Sequence, residues 1–188
     1  MEKFTREEVE HILSSIYSKA EYDVLFKEAS KNQVFFNLLW EIVKEKKESE
    51  SWRIVWILDH ATEKKNDFIL PILDEIYERI LKSKHEGFIR LSMKLILRCP
   101  VNEDFAGELL DRCIGWMNDP KLNISSQVLG LEFFYKVCQL YPEMSPELLA
   151  YINEMMERSP SAGMKVRLKQ IRSQLDRKRF ALKNKPSG

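Results

Sequence analysis

Few residues in this chain have the type and spacing to do chemistry. Trp52, Trp56 and Asp59 recur at helical intervals, so they share one side of a helix. An aromatic platform beside a carboxylate could hold and hydrolyse a nucleotide. Glu8-x-x-His11 has the carboxylate–histidine spacing of a di-iron ligand pair. Such a centre needs a second Glu-x-x-His, yet Ile57 and Lys82 stand three residues before His60 and His85. Cys99, Cys113 and Cys138 lie far apart within apolar helical patterns, with no CxxC or Cys/His ligand spacing. They read as small buried hydrophobes. No HExxH, GxSxG, P-loop or GxGxxG is present. Neither a catalytic centre nor a metal or cofactor site is expected.

Charge is placed unevenly. Residues 1–163 carry 21 basic against 28 acidic side chains, a net of −7. The remaining stretch gathers Lys165, Arg167, Lys169, Arg172, Arg177, Lys178, Arg179, Lys183 and Lys185 against Asp176 alone, a net of +8. Met164, Leu168, Ile171, Leu175 and Leu182 form an apolar stripe through the same segment. Two readings follow. The segment closes the fold with a solvated polar face, or it meets a nucleic acid or an anionic surface. A net acidic body argues against broad phosphate binding.

The elements that position these residues announce themselves by a fourfold echo. Phe35/Ile72/Leu109/Leu148, Phe36/Leu73/Leu110/Leu149, Leu39/Ile76/Cys113/Ile152 and Val43/Ile80/Met117/Met156 repeat at offsets of 37, 37 and 39. All sixteen are apolar. A period of that size with helical spacing inside each unit marks stacked helix pairs. First helices are expected near 33–46, 67–83, 103–118 and 146–158, with partners near 51–64, 87–99, 124–141 and 162–178. A shorter pair precedes them, with Thr5 and Glu8 as a capping box ahead of Val9, Ile12, Leu13 and Ile16 and a second helix over 22–29. Asp67, Asn102, Ser145 and Ser161 are expected N-caps, and Pro146 suits a first helical position. Pro100, Pro120, Pro142 and Pro160 fall between helices. The expected architecture is an all-α, right-handed superhelical solenoid in one domain over 1–178, with a basic flexible tail over 179–188.

In the second helix of the first full pair, Ile54, Ile57, Leu58 and Ala61 form one apolar face. A shift of 37 makes Ile89, Met93 and Ile96 the equivalents of Trp52, Trp56 and Asp59 in the next pair, which reads the tryptophans as packing residues. A strip remains for contacts: Arg53, His60 and Lys64, then Arg90 and Lys94, then Glu132, Tyr135 and Gln139. In a conventionally curved stack it would line the concave face.

Ser51-Trp52-Arg53-Ile54-Val55-Trp56-Ile57-Leu58 resembles the start of an inner helix of a HEAT repeat, with Arg53 at the usual arginine position. Arg90 follows at +37 and Arg167 at +77. Pro71 within Phe68-Ile69-Leu70-Pro71 resembles the proline that kinks the first HEAT helix. The Trp-Arg-x-x-Trp stretch, Tyr141-Pro142-Glu143 and Ser161-Ala162-Gly163-Met164-Lys165-Val166-Arg167 are similar to small bacterial HEAT-like proteins. The resemblance covers roughly 33–178. The third repeat departs from it, with Val128 or Leu129 where the arginine would stand.

The resemblance implies a binding surface without a catalytic residue. Arg53, His60, Arg90, Lys94, Glu132 and Tyr135 are then the candidate contacts for a protein partner. Lys165, Arg167, Lys169, Arg172, Arg177, Lys178 and Arg179 are the alternative contacts for nucleic acid. HEAT-like DNA glycosylases of the alkylation-repair type also use tryptophans and an aspartate, which makes Trp52, Trp56 and Asp59 the third reading. The first residues contain no apolar signal segment, and no run is apolar enough to span a membrane, so a cytoplasmic protein is expected.

Overall fold

The computed structural model describes residues 4–15, 19–64, 66–119, 121–158 and 160–183. Among them are ten α-helices and no strand. They are α1 (Arg6–Ser15), α2 (Lys19–Ala29), α3 (Gln33–Glu45), α4 (Glu48–Ala61), α5 (Leu73–Lys82), α6 (Glu86–Arg98), α7 (Glu103–Asn118), α8 (Ile124–Leu140), α9 (Ser145–Glu157) and α10 (Ala162–Lys183). The chain forms two compact units, Met1–Phe105 and Ala106–Gly188. In the first, α3 packs on α4, α5 on α6, and α4 on both α2 and α6. In the second, α8, α9 and α10 pack mutually. There α7 meets α8 closely at Gly130, where a β-carbon would stand 3.1 Å from the Cys113 carbonyl oxygen. A side chain at that position would push the two helices apart.

The apolar columns form the core. Fourteen of the sixteen residues are buried, and only Leu149 and Met156 are half-exposed. Burial of this stripe, rather than helix propensity, holds such short helices. Polar bonds then link successive first helices and successive second helices at a separation of 35. The Trp40 indole N–H donates to Glu75 at 2.7 Å, Lys94 pairs with Asp59 at 3.1 Å, and Arg167 clasps Glu132.

The second helices keep a stricter period than the first. α4, α6, α8 and α10 begin at residues 48, 86, 124 and 162, each 38 after the last. In that register Ile54/Ser92/Gly130/Leu168, Ile57/Leu95/Phe133/Ile171 and Ala61/Cys99/Val137/Leu175 are all buried columns. The expected offset of 37 is therefore wrong for these helices, and one residue is about 100° of rotation. Trp52 and Trp56 share columns with Arg90 and Lys94, and all four are half-exposed. Arg53 shares a column with buried Leu91, so Arg53 and Arg90 do not form one arginine column.

Helix ends follow local chemistry. Thr5 N–H donates to Glu8 at 2.7 Å and Glu8 N–H to the Thr5 hydroxyl at 3.3 Å, which is the expected capping box. Asn102 caps α7 through Asp104 N–H at 3.0 Å, and Ser161 caps α10 through Met164 N–H at 3.3 Å. Asp67 does not cap α5. That helix starts at Leu73, after a 3-10 turn over Leu70–Ile72 that contains Pro71. Proline lacks the N–H that a continuous helix would use, and the first α-helix of this pair is shortened accordingly. Ser145 lies inside α9 as its first residue, behind Met144, while Pro146 occupies the first turn. The His85 ring accepts from Phe88 N–H at 3.1 Å, a cap that composition did not suggest. α10 continues past the expected end at 178 to Lys183. Ile16, Pro120 and the last five residues lie outside the described residues.

Candidate functional site

The site grows from the column shift in the first unit. Because Trp52 and Trp56 face away from the buried columns of α4, they line an opening instead of filling the core. Tyr22 from α2 and Arg90, Leu91 and Lys94 from α6 complete a cavity of about 290 Å³, with Arg53 at its edge. The aromatic wall is held in place by ring contacts. Tyr22 and Phe26 each meet Trp56 edge-on, at 5.1 Å between ring centroids. His60 stacks on Phe26 at 5.0 Å, and its Nδ1 lies 3.0 Å from the Trp56 carbonyl oxygen. Edge-to-face contacts of this kind fix ring orientation as well as burying area.

The electrostatics are set by one buried carboxylate. Asp59 is 1% exposed and is flanked by two cations of α6, Lys94 at 3.1 Å and Arg98 at 2.6 Å. Arg98 also donates to the Asp59 carbonyl oxygen at 3.0 Å and to the Thr62 hydroxyl at 3.2 Å. Lys94 hydrogen-bonds one carboxylate oxygen while the other meets Arg98 as an ion pair without a hydrogen bond, and a buried carboxylate is tolerated only when its charge is paired in this way. Arg53 rests over the Trp52 ring, 5.4 Å from its centroid. Neither Arg53 nor Arg90 has an ion-pair partner among the described residues. Two arginines without ion-pair partners among the described residues and a lysine thus edge an aromatic slot, and the carboxylate that meets the lysine, Asp59, is also engaged by Arg98.

Four of the six residues expected to contact a protein partner lie here. Arg53, Arg90 and Lys94 line the cavity, and His60 braces its aromatic wall. Glu132 and Tyr135 belong to the second unit. Glu132 is not a free contact group, because both its carboxylate oxygens accept from the Arg167 guanidinium. That pair unites a candidate protein contact with a candidate nucleic-acid contact and ties α8 to α10. Tyr135 is half-buried. Of the basic terminal residues, Lys165, Lys169, Arg172 and Arg177 are exposed. Arg172 donates to Asn153 at 3.0 Å and Arg177 to the Ser173 carbonyl at 3.3 Å. The side chains of Lys178 and Arg179 lie outside the described residues.

Tyr22 and Arg98 escaped the sequence reading. Tyr22 comes from the short N-terminal pair, outside the repeat columns. Arg98 could have been found from its place one turn after Lys94, facing the same aspartate.

Among the described residues no group of His, Cys, Asp and Glu could hold a metal ion, and Glu8 serves its helix cap. The three cysteines are buried thiols. Burial pushes the Cys138 thiol up to about 11, and drives that of Cys113 up as well. The thiolate is the reactive form. Native protein at pH 8 is therefore expected to leave Ellman's reagent unreacted, with all three thiols titrating after unfolding in guanidinium. Reaction of even one thiol in the native protein would contradict this burial.

Comparison with protein families matches residues 9–175 to the HEAT repeat domain. The chain belongs to the HEAT repeat family. This agrees with consecutive helix pairs built on repeated apolar columns, and HEAT repeat domains typically serve as protein-interaction scaffolds. Comparison with curated proteins and with solved structures returns no match. No helix of this HEAT repeat protein, among the described residues, is long and apolar enough to cross a membrane.

Proposed function

We propose that this protein is a non-enzymatic interaction module that binds an acidic segment of a partner protein on the α4/α6 face of its first unit. The observation that carries the reading is the pair Arg53 and Arg90, unpaired among the described residues beside Lys94. Cations left without an internal partner suit carboxylates arriving from outside, and such complementarity raises association rate and selects partners. Asp59 stands beneath this surface as the ion-pair partner of Lys94 and Arg98, not as a group that attacks a bond.

Reversal of both arginines tests this. The double variant Arg53→Glu and Arg90→Glu is expected to lose capture of a protein partner from cell extract, by at least tenfold, while its circular dichroism stays native. Capture unchanged by reversal would remove this surface from consideration.

A second reading keeps one structural observation of its own. Lys165, Lys169 and Arg172 are exposed at i, i+4 and i+7, on one side of α10. Such a stripe would bind a nucleic-acid backbone with a steep dependence on salt. Neutralising these three residues should then abolish binding of labelled DNA or RNA at low ionic strength. Binding too weak to measure in the intact protein would dispose of this alternative.

A further inference from the structure

We infer that the cavity between α2, α4 and α6 takes an aromatic side chain of the partner, flanked in the partner's sequence by carboxylates. The inference rests on the acidic-segment reading above and deepens it by assigning the anchor. The exposed basic strip alone does not require a cavity, yet this one is built. Tyr22, Trp52 and Trp56 present rings from two helices, and Leu91 adds an aliphatic surface. Trp56 is fixed by edge contacts from Tyr22 and Phe26, at interplanar angles of 80° and 81°. A slot whose walls are already ordered loses little entropy when it is filled. Anchors of this kind, an aromatic ring seated in a pocket with charges outside it, dominate the energetics of interfaces.

Charge and backbone geometry favour a peptide over a nucleotide as the occupant. A phosphate is commonly held by the free N–H groups of a helix N-terminus. The lining residues of α4 and α6 all stand beyond the first four residues of their helices, so their backbone donors are already used. Arg90 and Lys94 sit one helical turn apart on α6, and Arg53 projects from α4. One of these cations, Lys94, is partly neutralised by Asp59. Single charges carried on two helices suit single carboxylates placed along a chain. The cavity, at about 290 Å³, also lies at the lower limit of the roughly 300–1,000 Å³ typical of small-molecule pockets.

Asp59 adds a signature that ordinary surface attraction lacks. An incoming carboxylate competes with Asp59 for Lys94, so Asp59→Asn should release the lysine and tighten binding even though it weakens the fold. Loss of stability alone would change affinity in the opposite direction.

The test compares two blocked pentapeptides, Asp-Glu-Phe-Glu-Asp and Asp-Glu-Ala-Glu-Asp, titrated calorimetrically into the intact protein. The phenylalanine peptide is expected to bind at least tenfold more tightly. Trp52→Ala should erase that preference, Arg90→Gln should weaken both peptides, and Asp59→Asn should strengthen both several-fold. If the two peptides bind the native protein equally and Arg90→Gln weakens both, the acidic-segment reading stands and the aromatic anchor is overturned. If neither binds, both readings fall. Tighter binding of thymidine monophosphate than of the phenylalanine peptide would overturn the peptide as occupant. The decisive peptide comparison uses the unaltered protein, so it does not depend on any variant folding.

Discussion

Replacing Arg98 by methionine is expected to destabilise the protein by about 3 kcal/mol, because it leaves a buried carboxylate with one partly hydrated partner. Asp59 is 1% exposed and makes ion pairs with Lys94 and Arg98. The two cations are not equivalent. Lys94 is 39% exposed and touches Asp59 once, so water screens much of its attraction. Arg98 is the more buried of the two, approaches the carboxylate to 2.6 Å and also bonds the Asp59 carbonyl and Thr62. Methionine retains the aliphatic volume and removes all these bonds. Urea unfolding should show the midpoint fall with the slope unchanged. Lys94→Met should cost less than about 1 kcal/mol by the same measurement. Equal losses in the two variants would show that the lysine and the arginine anchor the carboxylate equally, and would overturn this ranking. This hierarchy matters for binding. Arg98 can hold Asp59 while Lys94 turns to a ligand.

The repeat pairs could be read from sequence because first helices bury one stripe each. Phe35, Leu39 and Val43, with their counterparts, are separated from polar neighbours by helical spacing, so the period shows directly. The second helices hide theirs. α4 is buried along Ile54, Val55, Ile57, Leu58 and Ala61 and again at Ser51 and Asp59, so apolar character alone fits more than one rotation. Transferring the offset of 37 from the first helices turned α6 by one residue and made buried side chains the equivalents of the tryptophans. The connections explain the difference in period. The start-to-start spacing from α3 to α4 is 15 residues and that from α7 to α8 is 21. Loops of unequal length let the two sets of helices repeat independently. Asp59 illustrates the same limit. Its type suggested chemistry and its helical face was read correctly, but only the packing of α6 supplies the two cations that give it a structural task. Arg53, Arg90 and Lys94 could be picked as contacts because cations rarely enter a core unpaired. The slot between them could not, since its third wall comes from Tyr22 in a helix without a repeat signature.

Trp40 carries the largest expected loss from a single truncation. It is fully buried in α3, and Trp40→Ala should cost about 4 kcal/mol from lost packing and the cavity left behind. Trp40→Phe isolates the indole N–H, which reaches Glu75 of α5 at 2.7 Å. Burial pulls the Glu75 carboxyl upward, but the Lys44 ammonium at 2.9 Å and the Trp40 N–H outweigh it and hold the group below its ordinary value. The sign of the pH effect follows from that depression. The contribution is fully present above the unfolded-state value near 4.5, and it is lost as pH falls through the lower folded-state value. Without the indole donor, the Glu75 carboxyl should move back towards its ordinary value. The phenylalanine variant should therefore lose less stability than the native protein between about pH 5 and pH 3, although it starts from a lower midpoint at neutral pH. Parallel acid limbs for the two proteins would mean that the indole bond does not help hold Glu75 ionised. A steeper limb in the variant would contradict the direction of the shift itself. Either result bears on how the repeats adhere, because Trp40 and Glu75 are 35 residues apart, the same separation at which Asp59 meets Lys94 and Glu132 meets Arg167. Apolar columns bring successive pairs together without specifying how far one slides along the next. Hydrogen bonds with strict donor and acceptor positions do specify it, and it is this sliding register that sets Arg90 and Lys94 beside the tryptophans of α4.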